Sequence, residues 1–483
     1  MGSVVTAVGH CKCVLLFAAL AGLSVLPYLP ALTLPFISDD YLQIDLARNY
    51  GPVSGWGALA ADPLYRARAT SLVLTYWTER AFGFSPTPFN LSSLLLHVLN
   101  TWMLYFLSRR LGLERIPAAL AAGFFAVQEG HQEAVMWYAA VHDLLVFFFA
   151  VATLLAWSRF CDSSRRRDYA VAFACFLLAL LSKESAVAIV PLLVLLAPEP
   201  RRAWKAALPF AVAAVGYFGL AWASRGSHQH FGDGTFALTA PFWITLWNST
   251  GRLLWIWGAL ALAALLVWRD RAWIRTLKIA AAWIVIFLLP YSFLTYMPRI
   301  PSRHTYLASA GLAWIVACGF MVFRQRFQNM RWPVYALGTV IVLHNCGYVW
   351  FWKQAQFEQR AEPTEALVEL ARAGEPVRIE CFPYNEQAAR LAVEMRLGES
   401  APPIIWASTN PSFSRACLAI ERQGARRDRP GEFPAGSAAE APLWARSPRS
   451  TGPPSPGVAT NLRLGREQST PAVPAVRLSV RPD

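Results

Sequence analysis

The feature that most constrains this chain is a succession of apolar runs at 14–34, 88–108, 116–128, 141–160, 169–182, 184–197, 206–223, 252–268, 279–296, 305–323 and 333–352, parted by short basic clusters. About 20 apolar residues in a helix cross the ~30 Å hydrocarbon layer of a bilayer, and a helix meets its backbone hydrogen-bonding needs within one segment. The pattern predicts an all-α polytopic membrane protein of about eleven transmembrane helices. Composition agrees: 55% of the residues are hydrophobic and 15% charged, against roughly 25% charged in soluble domains. Trp102, Trp157, Trp204, Trp268, Trp332 and Trp352 fall at run edges, where indoles favour the headgroup region.

The formal net charge of +14 is spread between the spans, in the loops 109–115, 159–167, 201–205, 269–278 and 324–331. A nucleic-acid partner calls for a basic face on one domain, which this spacing does not provide; positive-inside bias accounts for it. The expected topology is a multi-pass protein of the cell membrane, with a cytoplasmic N-terminus and an extracytoplasmic C-terminus. The first run lacks an obvious small-residue cleavage site and reads as an uncleaved span. The eight cysteines show no metal-ligand spacing; Cys381 and Cys417 share the C-terminal region, where a disulfide would require an oxidising side.

Two runs are too short to cross unaided. The stretch 169–197 is interrupted by Lys183-Glu184. As one helix of about 43 Å it would invert every later loop. Two short helices keep the basic loops on one side, with a turn below the membrane surface; backbone at that depth must be buried in protein or line a wet cavity. The run 116–128 ends at Gln128-Glu129-Gly130-His131. Both hairpins point to a polar crevice opening outward. Residues 1–352 therefore read as a transmembrane domain, 353–420 as a small extracytoplasmic α/β appendage with a strand at 377–382 and a helix at 385–397, and 421–483 as a disordered tail rich in Arg, Pro, Gly and Ser.

The chemically capable residues gather in the non-basic loops. FISDDYLQ places Asp39 and Asp40 just after the first span; mutual repulsion and a low dielectric can raise one of them into general-base range. A solvated interfacial pair is the plainer alternative. LYRARAT carries Arg66 and Arg68, which suit a phosphate or mere headgroup snorkelling. His131, Glu133, His142 and Asp143 crowd one segment between two spans, and ionisable groups at membrane depth are functional candidates. Lys183-Glu184 is either a self-neutralising pair or a cation aimed at a lipid phosphate. Arg299, Arg303, His304 and Tyr306 offer donors at headgroup level. His228, His230 and Asp233 lie in a Gly-rich loop and form only a weak metal-like pattern. No metal and no cofactor is expected.

These pieces, in this order, resemble the GT-C membrane glycosyltransferases. The resemblance rests on the acidic pair after the first span, the Arg-containing segment, HVLN at 97–100, HQEAVMW…HDLL, LLSKESA and RHTYLASAGL. It is closest to the protein O-mannosyltransferase-like branch that includes transmembrane, tetratricopeptide-containing mannosyltransferases, here without the repeats. It departs from that pattern at Gln128-Glu129, Ala140-Val141, Ala67 and Ala308. The resemblance implies an inverting glycosyltransferase acting on the extracytoplasmic side. Its donor is a polyprenyl-phosphate-linked sugar, and its acceptor is a hydroxyl on protein, lipid or polysaccharide. Asp39 or Asp40 would deprotonate the acceptor. Arg66, Lys183, Arg303 and His304 would hold the departing phosphate, and His131, Glu133 and Asp143 would position sugar or acceptor. A lipid-linked glycan transporter or polymerase, or an inactive relative serving as a scaffold, is the alternative; the transporter should show related halves, and no such symmetry is visible.

Overall fold

Where they are described, the apolar runs are mainly helical in the computed structural model, which describes residues 2–51, 62–223, 236–268, 270–294, 301–406 and 477–479. The helices are α1 (Gly2–Val25), α2 (Asp39–Tyr50), α3 (Pro63–Phe82), α4 (Pro86–Arg110), α5 (Arg115–Val127), α6 (Gln132–Met136), α7 (Val141–Ser163) and α8 (Arg166–Leu180). They continue as α9 (Ile189–Leu195), α10 (Pro200–Ala223), α11 (Phe242–Trp268), α12 (Ile274–Leu288), α13 (Ser309–Arg326), α14 (Arg331–Gly347), α15 (Gln354–Ala371) and α16 (Glu386–Leu397). Among the described residues, seven helical segments are long and apolar enough to cross a membrane. The runs at 116–128, 169–182, 184–197 and 305–323 form the shorter segments α5, α8, α9 and α13. Large apolar side chains stand exposed on the long helices, including Val215, Leu266, Val267 and Leu343. Water would penalise such surfaces and lipid does not.

Lys183 sits where the chain reverses between α8 and α9, so the stretch 169–197 is a short hairpin. Leu195, Leu196 and Ala197 line one cavity of about 330 Å³ together with Leu111, Arg275 and Lys278. The far end of the hairpin thus lies among the basic loops, and Lys183 at the opposite end. Trp157 is not at an interface: it is fully buried, and its Nε1 donates to the Leu193 carbonyl at 2.8 Å. The hairpin thus has a partner on α7.

Glycines let the central helix α13 approach its neighbours closely. A Cβ on Gly319 would lie 2.7 Å from Ala261 of α11, and one on Gly311 would lie 2.6 Å from the Ala280 carbonyl of α12. In lipid, where helix association depends on packing, such contacts hold the bundle together. Gly319→Ala is expected to destabilise by about 1–3 kcal/mol through overpacking. The check is the thermal midpoint in detergent, with Gly338→Ala as control, since nothing lies within 4 Å of a Cβ there.

A buried polar network joins HVLN to RHTYLASAGL. The His97 Nε2 contact to the Ala126 carbonyl (3.0 Å) requires a proton on Nε2, so Nδ1 accepts from Tyr306 Oη at 2.8 Å. That hydroxyl in turn accepts from Asn100 Nδ2 at 3.2 Å. Both ring nitrogens, the hydroxyl and the Asn100 amide nitrogen are thereby partnered, as burial demands. These two motifs therefore lock α4 to the start of α13.

Two helices, α2 and α3, occupy what reads in the sequence as the first long loop. Pro27 and Pro30 turn the end of the first span into a 3-10 segment, Leu26–Thr33, since each proline removes a backbone donor. The chain then restarts as α2 at Asp39 and stops at Gly51, which has φ 61°. Asp62 caps α3, accepting from the Tyr65 amide at 3.2 Å.

The last span passes without a break from α14 through a π turn, Tyr348–Lys353, into α15. Beyond it, β1 (Val377–Cys381) lies between parallel β2 (Ile404–Trp406) and antiparallel β3 (Arg477–Ser479). Asn385 caps α16, accepting from the Ala388 amide at 2.7 Å. Of the segment 421–483, expected to lack order, Arg477–Ser479 form β3 and the rest lies outside the described residues. Leu367, Val368, Val377, Ile379, Ala389 and Val393 share one core with Phe36, Tyr41 and Ile44. The appendage is thereby packed on α2, beside Asp39.

Candidate functional site

The two acidic residues of FISDDYLQ have different environments. Asp40 is buried: its Oδ2 accepts from the Ile37 amide at 2.8 Å and its Oδ1 from the Ala139 amide at 2.7 Å. It is a clasp between the first and second site-bearing loops. Burial pushes its carboxyl up to about 7, against the pull of those two donors. Asp39 is exposed, and among the described residues its side chain bonds only to Ser38 Oγ, at 3.4 Å. Ser38 holds φ 31°, a strained conformation for a residue with a Cβ. Although its surface is open, the protein crowded around it displaces part of its hydration and raises the Asp39 carboxyl above its ordinary value, while the charges of Arg303 and Arg360 oppose that rise. The expected pair is thus one accessible carboxylate and one held by two backbone amides.

Glu133 lies across the site from α2. Its Oε2 accepts from Ser302 Oγ at 2.9 Å and the Arg303 amide at 3.1 Å, and its Oε1 is 3.9 Å from Arg360 Nη1. Burial pushes this carboxyl up, but the Arg303 charge and amide, with Arg360 and Ser302, outweigh burial and hold it below the ordinary value. Trp137 carries two guanidiniums, Arg303 at 5.0 Å and Arg360 at 4.6 Å from the ring centroid. Its Nε1 is buried without a hydrogen-bond partner among the described residues. Arg360 and Trp137 were not among the residues expected from the sequence.

A second group adjoins through His304. The His304 ring stacks on Tyr291 with centroids 4.4 Å apart, and Lys183 Nζ stands 5.0 Å from the same tyrosine ring centroid. Lys183 is buried and ion-paired with Asp143, whose other oxygen is 3.3 Å from His142 Nε2. Glu184 pairs with Arg68 at 3.3 Å, so Lys183 and Glu184 do not neutralise each other. His142 lies among the charges of Arg68, Lys183, Arg303 and His304, with Nδ1 buried and unpartnered among the described residues.

The other expected residues lie deeper in the bundle or outside the described residues. Asp143 is fully buried against Lys183 and His142. His131 is fully buried, with Nε2 2.7 Å from Ser309 Oγ. Arg66 is buried on α3, while Arg68, two residues on, reaches Glu184. Arg299 and the 228–233 histidine loop lie outside the described residues. Among the described residues no group of three His, Cys, Asp or Glu side chains is placed to hold a metal ion.

Residues 74–224 match the family model described as dolichyl-phosphate-mannose-protein mannosyltransferase. The matched segment contains Glu133, Asp143 and Lys183, and lies between Asp39 and Arg303. The match supports a membrane glycosyltransferase, as the order of motifs implied. Among solved structures, the chain is similar to the Archaeoglobus fulgidus oligosaccharyltransferase tethered by a disulfide to an acceptor peptide containing the NVT sequon. The identity is 13% and the TM-score 0.44, over 74% of this chain and 57% of that one. This chain therefore spans little more than half of that enzyme's length, and a superposition at this level assigns no residue a role. No curated protein matches the sequence.

Proposed function

We propose that the chain transfers a sugar from a polyprenyl-phosphate donor to a hydroxyl acceptor on the extracytoplasmic side, with inversion at the anomeric carbon. The observation that carries this reading is the separation of the acidic pair. Asp40 is consumed by two backbone amides, while Asp39 is presented at the start of α2 within the field of Arg303 and Arg360. Asp39 takes the acceptor's proton, the acceptor oxygen attacks the anomeric carbon, and the bond from that carbon to the phosphate oxygen breaks. The phosphate carries the departing charge to Arg303 and His304, at the end of the molecule opposite the basic loops. A donor whose lipid lies in the bilayer suits a site built between helix ends.

The test is transfer from labelled polyprenyl-phosphate sugars in membranes containing the chain. Wild-type protein is expected to transfer sugar, and Arg303→Gln to raise the donor KM about tenfold or more by removing one charge-assisted contact. Absence of transfer by the wild type, across sugars and hydroxyl acceptors, would overturn the reading.

A further inference from the structure

Arg303 and Arg360 share one indole and one carboxylate, yet they are not equivalent. The Arg360 guanidinium lies 3.9 Å from Glu133 Oε1 and 4.6 Å from the Trp137 ring centroid, and also 5.3 Å from that of Phe357. Its backbone is held too, since its carbonyl accepts from the Tyr384 hydroxyl of the appendage. Arg303 contributes its backbone amide to Glu133, but among the described residues its guanidinium has no hydrogen bond or ion pair and touches only Trp137. Its charge nevertheless acts on both Glu133 and Asp39.

A guanidinium whose charge acts on a neighbouring carboxylate, and whose own amide already holds it, ordinarily closes onto it in a forked pair. Here Glu133 is already taken by Ser302 Oγ, by one backbone amide and by Arg360. We infer that Arg360 is a positioning residue supplied by the C-terminal appendage: it neutralises Glu133 so that the Arg303 guanidinium stays free to bind the donor phosphate. This rests on the proposed donor chemistry for its purpose, but the competition between the two arginines for Glu133 can be read without any donor.

The first readout is modification of Arg303 by phenylglyoxal, an arginine-selective dicarbonyl, quantified by peptide mass spectrometry on the full-length protein in detergent. Arg303 should react in the wild type, react several-fold more slowly in Arg360→Gln because it turns onto Glu133, and recover in Glu133→Gln/Arg360→Gln. The second readout is binding of geranylgeranyl phosphate, expected to weaken about tenfold in Arg360→Gln and to lose no more affinity when that change is added to Glu133→Gln. Arg360→Lys should restore most of both.

Loss of the same size in both backgrounds would mean that Arg360 merely holds the appendage in place, and would overturn the inference. So would Arg303 reactivity that is indifferent to Arg360. If protection of Arg303 follows the predicted pattern but the lipid phosphate binds to no variant, the arginine competition stands and the donor reading fails.

Discussion

Asp39→Asn is expected to lower kcat/KM for sugar transfer by about 10²–10⁴-fold, the range of a lost general base, while folding and donor binding are retained. The side chain is accessible and, among the described residues, bonded only to Ser38 Oγ, so the amide replaces it without a structural cost. Asp40→Asn should behave in the opposite manner. One amide oxygen cannot serve both the Ile37 and Ala139 donors, and the new NH₂ must face one of them. Leaving such a donor unmet costs about 1–3 kcal/mol; the loss should appear as a lower thermal midpoint, with activity falling in step. The pH profile adds a sign. The base acts ionised, and the protein raises the Asp39 carboxyl, so kcat/KM should fall on acidification at a pH above the ordinary carboxylate range. Arg360 opposes that rise, hence Arg360→Gln should move the acidic limb to higher pH. An Asp39→Asn enzyme that transfers sugar at the wild-type rate would exclude the mechanism.

Much of the bundle was legible in the sequence because its signals are local. Apolar runs specify helices, and the interruption at Lys183-Glu184 specified a hairpin. The loops in which Asp39, Glu133, Lys183 and Arg303 sit were legible for the same reason. What was not legible depends on side chains that meet across long stretches of chain. Asp143 and Lys183 are 40 residues apart, and neither position signals the other, so each read as a ligand-facing group when the two face each other. His131 looked like its neighbour Glu133, but the 3-10 turn Glu129–His131 points it inward, onto Ser309. The helices α2 and α3 carry too few apolar residues to announce themselves beside true spans, although Gly51 and Asp62-Pro63 are stop and start signals. Arg360 was hidden among the mixed charges of α15, and only the packing of the appendage on α2 brings it to Trp137.

Breaking the Asp143–Lys183 pair should have the largest effect on stability. Both groups are buried, at 0% and 3% exposure, and they join α7 to the turn of the short hairpin. Two opposite charges out of water offset much of each other's desolvation, but a single one left there has no such compensation. Asp143→Asn is therefore expected to destabilise by about 3–5 kcal/mol, since Lys183 would then face Arg68 and His142 without a counter-charge. Adding Lys183→Met removes the stranded ammonium and replaces it with an unbranched apolar chain of similar reach, and should recover most of the loss. Thermal midpoints of the wild type, the single variants and the double variant measure this directly, and strong non-additivity is the expected signature. The same four proteins, compared with Arg303→Gln, separate a structural lysine from a phosphate ligand. If the pair is only structural, the stabilised double variant binds geranylgeranyl phosphate as the wild type does, whereas Arg303→Gln does not. If Lys183 leaves Asp143 to meet the donor, the double variant regains stability and still fails to bind.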